Sequence, residues 1–182
     1  SVRYVRDFAS TRRVRGKDGE MSRLYAVESA TSNTGAKADH RAAVRPAVVE
    51  ASARALAAAL GVPGAAPAAL PEAAQKLIDA AARDLAANKG ASIVVPGDEQ
   101  PPAVHAICHA INGFLGNTGI TVLHTDPVAT TPASQLASLG ELVDDIRAGK
   151  VDALLILGGN PVYDAPADLR FADALKQVAF TA

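Results

Sequence analysis

The 182-residue sequence predicts an α/β fold in which a Rossmann-like parallel sheet carries helices on both faces. Short apolar segments alternate along the chain with longer helical segments, the order that is typical of parallel sheets joined by helices. The segments at 93–95 and 154–157 are apolar without alternation, as expected for strands covered on both faces. Hydrophobic residues make up 49% of the chain, which is enough apolar surface for a sizeable core.

The first predicted elements follow a basic, polar stretch at 1–21 that we interpret as a solvated arm or linker. A phosphate-binding role for this arm stays open. Residues 23–28 predict the first strand, and a polar loop covers 29–45. Pro46 suits the first turn of a helix, which the Ala-rich sequence continues until Gly61.

The rest of the chain repeats the strand and helix pattern. Apolar positions such as Leu77, Ile78 and Ala81 recur at the 3.6-residue period of a helix with one buried face. The remaining predicted elements, in order, are a helix from Pro71 to Asn88, a strand at 91–96, a helix at 104–115, a strand at 120–124, a helix at 136–146, a strand at 153–157 and a helix at 168–177.

Composition excludes several classes of function. Cys108 is the only cysteine, so this segment by itself holds neither a disulfide nor a cysteine-ligated iron–sulfur or zinc cluster. The net charge of −1 gives no overall field for nucleic acid. No run approaches the ~20 apolar residues that a membrane span needs. The two ends of the sequence read as interrupted, and we expect a piece of a longer polypeptide.

A glycine loop after the last apolar strand is the first candidate site. Ligands of open parallel sheets bind beyond the carboxyl ends of the strands, where Gly158, Gly159 and Asn160 lie. Glycine permits close backbone approach, and asparagine offers both a donor and an acceptor. The alternative is a turn whose asparagine side chain ties down the backbone. Neither of the two common phosphate-binding glycine motifs occurs in the sequence.

Two further loops follow predicted strands. Gly97, Asp98 and Gln100 follow the strand at 91–96, and Asp39 follows the first strand with His40 and Arg41. Charged residues in loops are usually only solvated, so a plain surface role is the alternative for both sets. The adjacent pair Asp144 and Asp145 fits a solvated helix face.

A metal site is also considered at 105–109. His105 and His109 are spaced i and i+4, so two imidazoles share one helix face. The glutamate of the HExxH motif is missing and no third ligand is evident from the sequence. We therefore interpret these histidines as flanking Cys108 in a packed face and predict no metal ligand.

The loops, taken in order, resemble molybdopterin oxidoreductases of the dimethyl-sulfoxide-reductase type. The resemblance runs through about residues 22–182, and its motifs are weak singly but specific in their order and spacing. They are Thr34–Asp39 followed by Arg45-Pro46, Ile111–Gly119, and Leu155–Pro161. The sequence is most similar to the molybdopterin-like part of the iron–sulfur subunit of alternative complex III, also described as a Tat-translocated molybdopterin oxidoreductase. Ser22–Ser29, Gly35–Arg41, Gln100–His105 and Gly159–Asp168 carry that closer similarity.

This resemblance implies a region that holds no molybdenum cofactor and packs against a ferredoxin-like, cluster-bearing region of the same chain. The implied complex oxidises quinol on the periplasmic side of a bacterial membrane. Iron–sulfur clusters are expected elsewhere in the full-length chain, and partners are the other subunits of the membrane complex. On this interpretation 1–21 is the arm and 22–182 is a fragment of the molybdopterin-oxidoreductase-like α/β domain.

One departure from the family pattern bears on the cofactor. Cofactor-bearing relatives carry Pro-Gly-Thr-Asp where this chain has Pro46, Ala47, Val48 and Val49. Ala47 adds a Cβ where the backbone would approach a guanosine, and Val49 lacks the carboxylate that would accept its hydrogen bonds. We therefore expect a retained fold with a lapsed pocket. The candidates for that pocket are Asp39, Gly97, Asp98, Gln100, Gly158, Gly159 and Asn160.

Two other functions remain open from the sequence. In the second interpretation, the chain is an inner domain of a true molybdenum oxidoreductase that helps bind a molybdopterin guanine dinucleotide through the 97–100 and 158–160 loops. In the third, it is a separate nucleotide-binding module with no redox role. The leading expectation is a non-catalytic structural domain that scaffolds electron transfer.

Overall fold

The computed structural model describes residues 2–14, 16–17, 19–128 and 134–182. The chain forms two compact units, Ser1–His124 and Thr125–Ala182, and each is described by itself. The fold is mixed α/β, since helices accompany two small parallel sheets of two strands each. In the described part of the chain, none of the helices combines the length and apolar content that crossing a bilayer requires.

The first unit begins with helix α1, Val2–Ser10, whose residues are largely exposed. It lies within the predicted arm, where no helix was predicted. Strand β1, Tyr25–Glu28, confirms the first predicted strand and pairs in parallel with β2, His40–Ala43. The interpretation of 29–45 as a loop is wrong at β2. Only Ala42 of this short strand is buried. The sequence His-Arg-Ala-Ala therefore lacks the alternation of apolar and polar residues that would have predicted a strand.

Three helices form most of the first unit's core. They are α2 (Pro46–Leu60), α3 (Glu72–Ala87) and α4 (Pro102–Phe114), and all three confirm the predicted helices. Helix α2 ends at Gly61, whose φ of 81° lets its N–H bond the carbonyls of the last turn. The buried cluster between the helices consists of Ala55, Leu56, Ala57, Ile78, Ala81, Ala82, Ile111 and Leu115.

Two predicted strands of the first unit differ in the structure. Residues 91–96 and 120–124 have no strand partner among the described residues, apart from an isolated bridge between Thr118 and Val122. The side chains of the first segment still alternate in exposure, since Ser92, Val94 and Pro96 are half-buried while Ile93 and Val95 are exposed. Side chains rather than a neighbouring strand hold its inner edge, as described below.

The second unit packs helices against the other small sheet. Helix α5, Gln135–Arg147, is capped by Ser134, whose Oγ accepts a hydrogen bond from the N–H of Ala137 at 3.3 Å. Strand β3, Ala153–Leu154, pairs in parallel with β4, Phe180–Thr181. The buried cluster consists of Val143, Ile146, Phe171, Ala174 and Val178.

The end of the second unit departs from the prediction in two places. Strand β3 is shorter than the predicted 153–157. The single helix predicted at 168–177 is instead a 3-10 turn, Ala167–Leu169, followed by α7, Phe171–Leu175. Arg170 separates the two with a φ of 49°, a left-handed conformation that a continuous helix does not allow. Helix α6, Pro161–Asp164, is a single turn.

Candidate functional site

A buried pair of carboxamides holds the segment that leads into the first candidate loop. The side chain of Asn112, on α4, accepts a hydrogen bond from the N–H of Val94 at 3.0 Å and donates one to its carbonyl at 2.7 Å. A strand neighbour would make the same two bonds to Val94. Thr121 Oγ1 donates to the carbonyl of Ser92 on the same edge of the segment.

Asn117 completes this network from inside the unit. It is fully buried, and its Nδ2 donates to Asn112 Oδ1 at 3.0 Å. Its backbone carbonyl accepts N–H groups from Ile120, Thr121 and Val122. Every fully buried polar side-chain atom in the described residues has a hydrogen-bond partner. The network therefore ties α4, the 92–94 segment and the 117–122 loop together, and it fixes where residues 97–100 begin.

The first candidate loop is a tight turn on the surface. The N–H of Gln100 donates to the carbonyl of Gly97 at 3.0 Å, and α4 begins two residues later at Pro102. Asp98 and Glu99 are exposed, whereas Gln100 is half-buried. Gly97 has a φ outside the left-handed region, and a Cβ built on it would meet only Gln100 Cγ, at 3.9 Å. The loop thus presents two solvated carboxylates.

Asp39 has a structural task. Its carboxylate accepts two hydrogen bonds from the guanidinium of Arg12, one of them at 2.7 Å, and a third from the N–H of Leu24 at 2.8 Å. These hydrogen bonds hold the pKa of Asp39 well below its usual range, and the contribution of Arg12 is larger than that of Leu24. These contacts fasten the segment after α1 to the start of β1. In this conformation the Asp39 oxygens are committed within the protein.

The two residues after Asp39 point to different partners. The His40 ring stacks on Tyr25 with centroids 4.8 Å apart, while Arg41 donates to Glu28 and to Thr31 Oγ1. A cavity of about 380 Å³ lies beside them, lined also by Lys76 and Leu77 of α3. Lys76 pairs with Glu72 at 2.6 Å. The cations at this cavity therefore face carboxylates of the chain itself.

The second candidate loop, at 158–160, belongs to the second unit. Gly158 and Gly159 both have a φ of 79°, and a Cβ on either would meet nothing within 4 Å. Two consecutive left-handed residues need glycine, and the space above them is open. The N–H of Asn160 donates to Asp164 Oδ2 at 3.3 Å, and its carbonyl accepts from Tyr163 and Asp164. The Asn160 side chain makes no capping hydrogen bond, so Asp164 rather than Asn160 supplies the side chain that ties down this turn.

The structure thus distributes the seven candidates over both units. Asp39 and the 97–100 turn lie in the first unit without a hydrogen bond between them in its described residues, and 158–160 lie in the second. Among the described residues, no three or more His, Cys, Asp or Glu side chains lie close enough together to hold a metal ion at either loop. Burial raises the pKa of the Cys108 thiol to about 11, in keeping with its place in the packed face of α4.

Several organising residues were not found from the sequence. The predicted helix at 104–115 includes Asn112, but its spacing does not predict that the Asn112 carboxamide replaces part of a strand ladder or that Asn117 donates to it. Tyr25 donates to Asp84, a carboxylate on α3 that Arg23 also binds. The sequence signal for them is the pair of asparagines, Asn112 and Asn117, beside the apolar stripe of α4, because buried carboxamides need hydrogen-bond partners.

Comparisons with known proteins add no family to this description. No family model matches the sequence, and no curated protein is significantly similar to it. The resemblance to molybdopterin oxidoreductases therefore rests on the motifs quoted above.

Proposed function

We propose that the chain is a cofactor-free, non-catalytic structural domain in an iron–sulfur subunit of a quinol-oxidising complex. In this role it packs against a ferredoxin-like region of the same longer chain and against neighbouring subunits, on the periplasmic side of a bacterial membrane. Its complete form is a Rossmann-like parallel sheet flanked by helices. The loop resemblance supports the family, and the uncovered apolar faces support the structural role.

The observation that carries the proposal is a repeated pattern of one-sided burial. Ile93 and Val95 are 52% and 71% exposed, and Leu155 and Leu157 are 64% and 94% exposed, while the residues between them are half-buried. Large aliphatic side chains at alternate positions of an extended segment are costly to leave in water. Such a face is typical of a surface that another part of an assembly covers.

The backbone on the same side supports this interpretation. Val94 is hydrogen-bonded on its inner edge, but no described residue bonds the N–H or carbonyl groups of Ile93 and Val95. In the second unit the N–H of Ile156 donates to Ala182 at 2.8 Å, and Leu157 has no such bond within the described residues. Open edges beside apolar side chains fit strands of a larger sheet.

The candidate pocket also favours a structural role. Asp39 is held by Arg12 and Leu24, and the first turn of α2 presents the methyl of Ala47 to solvent with the half-buried Val49 beside it. An aliphatic surface at this turn offers no hydrogen-bond acceptor to a guanine base. The region therefore suits packing better than nucleotide recognition.

Metal analysis of the complete protein, purified with its complex, tests the proposal. We expect several iron atoms and less than a stoichiometric amount of molybdenum, together with no pterin in an acid extract. One molybdenum per chain with a bound pterin would refute the structural role. Absence of iron would refute the assignment to an iron–sulfur subunit.

The second candidate function is binding of a molybdopterin guanine dinucleotide, and the open space above Gly158 and Gly159 is the observation that favours it. Calorimetric titration of the 182-residue chain with guanosine diphosphate tests it. The structural proposal predicts no saturable heat and no difference between the wild type and Asn160→Ala. Saturable binding that Asn160→Ala abolishes and Asn88→Ala preserves would favour the dinucleotide instead.

A further inference from the structure

Two histidines of the first unit lie together on its surface. His109 is on α4, and His124 ends the extended segment after the 117–122 loop. Their ring centroids are 5.4 Å apart, and the ring planes are tilted by 41°. The stacked pair Tyr25 and His40 differs, with a spacing of 4.8 Å and a tilt of 23°. Both histidines of the tilted pair are exposed.

The spacing of the pair matches two imidazoles on one tetrahedral ion. A Zn–N bond of about 2.0–2.1 Å puts each ring centroid about 3.2 Å from the metal, so two ligands at a tetrahedral angle have centroids about 5.2 Å apart. The observed 5.4 Å lies close to that value. The ring spacing is therefore compatible with one ion shared by the two histidines.

The chemistry around the pair defines the ion. No described residue hydrogen-bonds to a ring nitrogen of His109 or His124. Cys108 is buried in the packed face of α4, whereas the two histidines are exposed, so its sulfur lies away from the surface that they share. Two neutral imidazoles with water in the remaining positions suit Zn²⁺ and similar borderline ions, whereas Mg²⁺ and Ca²⁺ require oxygen ligands.

We propose that His109 and His124 form a two-histidine surface site for a divalent transition metal ion of the Zn²⁺ class. The site joins α4 to the end of the 120–124 segment. It is independent of the proposed scaffold function and needs no pterin or iron–sulfur cluster. His105, one turn earlier on α4, is half-buried and is not required.

Zinc titration of the 182-residue chain in competition with a chromophoric chelator tests the proposal. We expect one Zn²⁺ per chain at this pair of histidines, and a loss of affinity of at least about tenfold in His109→Ala and in His124→Ala, since losing a direct ligand costs at least as much as losing a supporting contact. His40→Ala, which alters a histidine elsewhere in the same unit, is the control and should bind as the wild type does.

Two further variants separate ligation from packing. His124→Phe keeps a ring beside His109 but removes both nitrogens, so it should fold normally and bind as weakly as His124→Ala. Restored binding in His124→Phe would overturn the proposal. Unchanged affinity in His124→Ala with loss in His105→Ala would also overturn it, because the ion would then sit on the i, i+4 pair of α4. Absence of a stoichiometric site would do the same.

Discussion

The segments 92–96 and 153–157 share a mostly apolar composition and an alternating exposure, but different partners hold them. In each, every second side chain is exposed to water. In the second unit, backbone groups hold the inner edge, because Phe180 donates to Asp152 and Ala182 donates to Leu154. In the first unit, the side chains of Asn112 and Thr121 take that place.

This difference shows that an extended segment can be fixed without a neighbouring strand. A carboxamide presents an N–H donor and a carbonyl acceptor side by side, as one residue of a neighbouring strand does, so Asn112 satisfies both polar groups of Val94. A strand ladder spreads its bonds over many residues. The first-unit segment depends instead on very few side chains, and single substitutions can test it.

The largest effect is expected from Asn112→Ala. This change removes one partner from the N–H and carbonyl of the half-buried Val94 and from the amide of the buried Asn117, and a fully buried group left unpaired costs about 1–3 kcal/mol. We expect the first unit to lose about 2–5 kcal/mol of unfolding free energy. Asn88→Ala removes an exposed asparagine with one bond to Asp84 and should cost less than about 1 kcal/mol.

Cys108 provides a measurement that is specific to the first unit. It is the only cysteine of the chain, it is buried, and its pKa is raised to about 11, so alkylation near pH 8 requires the unit to open. Asn112→Ala should accelerate labelling strongly, while hydrogen exchange at the Ile156 amide stays unchanged. Equal labelling rates in the variant and wild type would contradict the role of the carboxamide.

A smaller, pH-dependent effect is expected at Asp39, which fixes the entry to β1. The hydrogen bonds from Arg12 and Leu24 lower its folded pKa, so its contribution to stability is present above the unfolded pKa of about 3.9 and is lost as the pH falls below it. We expect Asp39→Asn to cost about 1–2 kcal/mol at pH 7 and to flatten the stability curve below pH 4.

The control for this change is Asp7→Asn, because Asp7 is 64% exposed and lies 3.7 Å from Arg3. Surface pairs of this kind contribute about 0–1 kcal/mol, so urea unfolding at pH 7 should show little change. If Asp39→Asn and Asp7→Asn behaved alike at both pH 7 and pH 3, Arg12 would not be anchored to Asp39 in solution.

The sequence predicts the helices well because their signals are local. The 3.6-residue period, the proline at position 46 and the glycine at position 61 lie within α2 or next to it, and the structure confirms that helix. Strand pairing is not local. β2 was missed because the segment from His40 carries no alternating apolar pattern, and its register depends on β1.

The candidate sites show the same limit. The loops at 97–100 and 158–160 are turns, as their glycines predict, but the sequence gives no sign that Arg12 binds Asp39 from 27 residues away. It also gives no sign that His124 lies beside His109. The sequence therefore suggests only His105 and His109, spaced i and i+4, as a pair of metal ligands to consider. Side chains that the tertiary fold brings together can be any distance apart in the sequence, so no spacing pattern predicts their contact.

The smallest effect is expected where the two segments are alike, at their outward side chains. Leu157 is 94% exposed, so Leu157→Ser should change the free energy of unfolding by less than about 0.5 kcal/mol, and Val95→Ser should behave similarly in the first unit. Leu154→Ser is the matched control, because Leu154 packs against the buried cluster of the second unit and its loss should cost about 2–4 kcal/mol. Chemical unfolding of the three variants separates the inward from the outward face. A large loss in Leu157→Ser would mean that the free chain already covers this face, and the proposed packing surface would then lose its main support.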